Sequence, residues 1–80
     1  MEQEQQILQR FQRDSEWFYR NINSLRKKGF VGKFVAIKNS EPIASDKNIT
    51  SMIEELSEKG ENPSFLFIEF VHPEGFTLIL

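Results

Sequence analysis

The chain has no cysteine, one histidine, three prolines and four glycines among its 80 residues. Without thiols there are no disulfide staples, no thiolate metal ligands and no cysteine nucleophile. No stretch approaches the roughly 18–20 apolar residues that span a bilayer. The opening Met1-Glu-Gln-Glu-Gln-Gln carries neither a basic lead nor an apolar run, so it does not read as a secretory signal. A soluble cytoplasmic protein is expected, built as a single domain over residues 1–80. A domain this small buries only roughly 60–65% of its unfolded surface, which leaves a thin stability margin.

The motifs of catalysis are equally scarce. Gly29-Phe-Val-Gly32 lacks the length and the Lys-Ser/Thr ending of a phosphate loop, and Gly-x-Ser-x-Gly is absent. Asp46-Lys-Asn48 is too short for a calcium loop. The sole imidazole, His72, stands beside Glu74, but no second histidine is available to complete a metal site. A histidine on a surface turn is the simpler reading. Glu54 and Glu58 share a helix face at i and i+4, the ordinary pattern of a solvated face. No catalytic residue, metal ligand or cofactor is expected, and the chain does not read as an enzyme.

What is present is a patterned set of short elements. Leu8, Phe11, Ser15, Phe18, Ile22 and Leu25 recur at spacings 3, 4, 3, 4, 3, the stripe of an amphipathic helix. No proline or glycine interrupts residues 1–28, and Gly29 supplies the stop behind Arg26, Lys27 and Lys28. Asp14-Ser15-Glu16 offers a possible cap and bend within this segment. Lys33–Lys38 reads as a strand, Asn39-Ser40-Glu41-Pro42 as a turn, and Ile43–Ser45 as a short return strand on a sheet edge. Asn48 caps a second helix, in which Ile49, Met52, Ile53 and Leu56 follow i, i+3, i+4, i+7 and Gly60 ends the run. Ser64–Val71 reads as a strand, His72–Gly75 as a turn and Phe76–Leu80 as a last strand. The order α-β-β-α-β-β predicts an α+β fold. Its sheet is mainly antiparallel, with four strands in order 2-1-3-4, a long first helix and a short second one.

A hairpin closed at His72–Gly75 puts Phe67, Glu69, Val71, Phe76, Leu78 and Leu80 on one face. Leu66, Ile68, Phe70, Thr77 and Ile79 fall on the other. Both faces are apolar with one polar exception each, whereas a sheet with one wet side alternates cleanly. Two arrangements cover both faces: one helix on each, or both helices on one face and a second copy on the other. The favoured expectation is a protein-interaction module that forms a homodimer through its sheet, with Phe67, Val71, Phe76, Leu78 and Leu80 at the interface.

The rival expectation comes from charge. The net charge is −2, yet residues 1–40 sum to +4 and residues 41–80 to −6. Arg20, Arg26, Lys27, Lys28 and Lys33 gather around the end of the first helix and could follow a phosphate backbone. A pI near 5.4 and the acidic second half weigh against nucleic acid.

The landmarks Trp17-Phe18, Asn21, Leu25, Gly32-Lys-Phe-Val-Ala-Ile-Lys38, Ile43-Ala-Ser45, Lys47-Asn-Ile49, Lys59-Gly60, Pro63 and Phe70-Val-His-Pro73 carry a resemblance. With them the chain resembles a small uncharacterised prokaryotic family, common in archaea, of unknown function. That family tends to place Asp where Asn48 stands, and an Asn-Gly or Asp-Gly turn where Asn39-Ser40 stands. The resemblance implies an α+β build and transfers no functional residue.

Overall fold

A chain without glycine or proline before residue 29 has no local reason to leave the helix early. Helix α1 spans Glu2–Arg20 and α2 spans Ile22–Lys27 in the computed structural model, which describes residues 2–74, with side chains from residue 6 onward. The helix runs unbroken through Asp14–Glu16, where the sequence suggested a bend. The break falls instead at Asn21. Its Nδ2 donates to the Trp17 carbonyl at 2.8 Å, and its N–H shares the Trp17 and Phe18 carbonyls at 2.9 and 3.2 Å. Helix α2 ends in a paired lock: Phe30 N donates to Leu25 O and Gly29 N to Arg26 O, with Gly29 at φ +94°.

Strands β1 (Phe34–Lys38) and β2 (Glu41–Asp46) form a hairpin closed by Asn39 and Ser40, both at positive φ, 52° and 61°. Two successive positive φ values mark the type I′ geometry that fits the strand twist. A bulge shifts the register, so that Ala36 faces Ala44 while Ile37 faces Pro42. Helix α3 (Ile49–Glu58) starts where the Asn48 side chain accepts from Thr50 N and Ser51 N. It ends as α2 does, with Glu61 N on Leu56 O and Gly60 at φ +83°. The segment expected as one strand from Ser64 divides into a 3₁₀ turn, Pro63–Phe65, and β3, Phe67–Phe70. Pro63 and the Asn62 side chain, which accepts from Ser64 N, hold that first turn.

The sheet is antiparallel with order β2-β1-β3, and the edge position of β2 tolerates Pro42. The fourth strand, expected at Phe76–Leu80 beside β3, lies outside the described residues. The helices take opposite faces. Phe18 and Leu25 pack on Val35, Ile37, Phe67 and Val71. On the other side Met52 and Leu56 of α3 pack on Ala36, Ala44 and Leu66. The facing alanines of the hairpin leave room for the methionine and leucine of α3.

Among the described residues one charged side chain is buried. Asp14, 2% exposed, reaches from α1 to the hairpin turn, where its Oδ1 accepts from Ser40 N at 2.8 Å. This bond holds the positive-φ Ser40 against the helix and gives Asp14 its role, which is a tertiary tie rather than a helix cap. Removing the acceptor leaves a part-buried N–H without a partner, a loss of about 1–3 kcal/mol. We expect Asp14→Ala to lower unfolding stability by that amount and Asp14→Asn, which keeps an acceptor oxygen, to lower it less. Urea denaturation compares the two, and equal losses would refute the hydrogen-bond account.

Candidate functional site

The chain returns from β3 to the start of the sheet. Val71 N donates to Lys33 O at 2.9 Å and Gly32 N to Val71 O at 2.8 Å, so the exit of β3 is sewn to the loop that precedes β1. This brings residues 72–74 against α2. Arg26 completes the join, with Nε donating to the His72 carbonyl at 2.9 Å and Nη1 to Asn23 Oδ1 at 2.8 Å. Two hollows flank Arg26. One, of about 440 Å³, is bounded by Asn23, Lys27, Val31, Pro73 and Glu74. The other, of about 300 Å³, has Ile22 and Phe70 among its apolar walls and Tyr19, Glu69 and His72 among its polar ones.

In the second hollow the Tyr19 hydroxyl donates to Glu69 Oε2 at 2.8 Å. That hydrogen bond raises the tyrosine pKa above its ordinary value, with burial and the charge of Glu69 acting in the same direction. The His72 ring stands 5.0 Å from that of Phe70, edge to face. Among the described residues no three His, Asp or Glu side chains converge as a metal site would require.

An apolar flank runs along α1 and meets the second hollow at Tyr19. Leu8 is 68% exposed and Tyr19 58%, and Phe11 and Phe65 are also exposed. The Phe11 and Tyr19 rings meet Phe67 edge-on, at 5.3 and 6.4 Å. Arg10 Nη2 reaches the Phe65 carbonyl at 3.4 Å. The spacing of Leu8 and Phe11 placed them on the helix stripe, yet both are exposed.

The structure brings together only some of the residues singled out from sequence. Phe67 and Val71, expected at an interface, are buried in the chain's own core beneath α1 and α2. Phe76, Leu78 and Leu80 lie outside the described residues. Of the basic cluster, Arg26 is half-buried and engaged, Arg20, Lys27 and Lys28 are exposed, and Lys33 is half-buried. Sequence reasoning missed Tyr19 and Asn23 altogether. A signal for Glu69 existed, as the one carboxylate on an otherwise apolar strand face.

A model of a family of unknown function (DUF5678) matches residues 26–72, more than half of the chain. The chain belongs to that family. No curated protein and no solved structure matches it. None of the described helices is long and apolar enough to cross a bilayer. The matched span opens at Arg26 and closes at His72, the pair joined by the guanidinium–carbonyl bond.

Because the folded pKa of Tyr19 is raised, its contribution to stability is present below the unfolded value of 10.0 and is lost as pH rises through the folded value. The chain has one tyrosine, so its phenolate can be followed directly by ultraviolet difference absorbance. We expect a midpoint above 10.0 that Glu69→Gln moves down toward 10.0. A midpoint that ignores the substitution would remove Glu69 as the cause.

Proposed function

We propose that this protein is a non-catalytic interaction module that self-associates along the β3 side of its sheet. The observation that carries this reading is the apolar flank of Leu8, Phe11, Tyr19 and Phe65, with buried Phe67 as its floor. Helices already cover both faces of the described sheet, so a second copy would meet this flank rather than a bare face. Burying a leucine fully is worth about 1.5–3 kcal/mol, enough for a few such residues to decide a small dimer. Phe76, Leu78 and Leu80 belong to the same proposal as further interface residues. The homodimer, the absence of catalysis and a cytoplasmic setting are all parts of this reading.

A second reading, as a nucleic-acid accessory protein, is favoured by one observation. Among the described residues Arg20, Lys27, Lys28 and Lys33 take part in no salt bridge; the two bridges are Lys38–Glu61 and Lys59–Glu55. Such uncommitted cations are available to phosphates.

Light scattering after size exclusion is expected to give a dimer that persists in high salt. Leu8→Glu, at a position too exposed to unfold the chain, converts it to a folded monomer by circular dichroism. A wild-type monomer at all concentrations, or a dimer indifferent to Leu8→Glu, refutes the interface. For the rival reading, fluorescence anisotropy with duplex and single-stranded oligonucleotides should show no binding even at low salt. Binding that weakens steeply as salt rises would favour the rival instead.

A further inference from the structure

Arg26 lines both hollows at the α2–β3 junction. Its guanidinium is held at two points, Nε on the His72 carbonyl and Nη1 on Asn23 Oδ1. A guanidinium has five N–H bonds, so three remain unspent among the described residues. No carboxylate pairs with it there, because the two salt bridges among those residues use other cations. Glu69, the acid of the smaller hollow, accepts the Tyr19 hydroxyl instead. The result is a half-buried cation, fixed in place, with no counter-ion among the described residues. Such a group has already met the ordering cost that a free arginine meets on binding an anion.

The walls beside it define the rest of the ligand. Phe18, Ile22 and Phe70 give the smaller hollow an apolar lining next to the cation. At about 300 Å³ it lies at the lower end of the size range of small-molecule sites. One planar guanidinium suits two coplanar oxygens. A doubly charged phosphate would gain little from this single fork and would meet more repulsion from Glu69 in the same hollow than a singly charged carboxylate does.

We propose that this hollow binds a small carboxylate with an apolar body, its carboxylate on Arg26 and its body against Ile22 and Phe70. This site shares Tyr19 with the self-association flank described above, and the acid–amide comparison below distinguishes ligand binding from dimer formation.

The test titrates the full-length, nitrogen-15-labelled protein with phenylacetate, phenylacetamide and inorganic phosphate, followed by NMR. Phenylacetate should shift the Arg26 Nε–H signal and the backbone amides of Tyr19, Ile22 and Phe70 saturably. The neutral amide should bind about tenfold more weakly or worse, as expected when a charge-assisted pair is lost. Arg26→Gln should lose binding to a similar extent, with Arg26→Lys in between. The acid–amide comparison uses only the wild-type protein, so it stands even where a variant loses its tie to His72. Equal binding of acid and amide, phosphate binding as tight as phenylacetate, or no saturable shift at Arg26 would each overturn the proposal.

Discussion

The central strand has no side that faces water. Val35, Ala36 and Ile37 are wholly buried, with β2 and β3 on their flanks and helices above and below. Side chains alternate along a strand, so an apolar run of this kind requires cover on both faces. One helix on each face satisfies that demand within a single chain. The placement of α1 and α2 opposite α3 follows from it, as does the small size of Ala36 and Ala44, which lets α3 approach the hairpin.

Polar ties between layers keep the three in register. Asp14 joins α1 to the hairpin turn, Arg26 joins α2 to the exit of β3, and Tyr19 joins α1 to Glu69. Lys38 and Glu61 join β1 to the segment after α3 at 2.9 Å. These contacts are not equal in weight. Exposed pairs contribute on the order of 0–1 kcal/mol because water and salt screen them. Asp14 is shielded from both, so its single hydrogen bond matters more than the two surface ion pairs.

The two surfaces of interest differ in chemistry. The flank of α1 carries the exposed side chains of Leu8, Phe11 and Tyr19 on a 19-residue helix. Its rings and leucine suit contact with another apolar surface. The hollows at the α2–β3 junction arise because the chain closes on itself there, with Arg26 bonded to His72. That closure fixes a cation between apolar walls, an arrangement suited to a small anion rather than to a flat partner.

Much of the local structure was legible in the sequence. Gly29 and Gly60 marked helix ends because positive φ is easy only for glycine, and Asn48 marked a helix start because its side chain satisfies free N–H groups. The antiparallel hairpin and the α+β class followed from the same local chemistry. Local chemistry did not decide the use of Asp14, which resembled a cap until its partner 26 residues away was known. Nor could the helical spacing of Leu8, Phe11, Phe18 and Leu25 say which of them would be buried, since periodicity gives a face and not the sheet's extent. Phe67 and Val71 looked like interface residues for the same reason: their apolar character was certain, but what covers them was not. Arg26 was visible as a basic residue at a helix end. Its partner Asn23 lies one helical turn away, but its partner His72 and the hollows around it exist only because the tertiary fold brings residues 46 apart into contact. Sequence by itself determined what each segment prefers, through backbone sterics and hydrophobic period. Only the tertiary structure decided which preferences meet, because burial and pairing depend on neighbours distant along the chain.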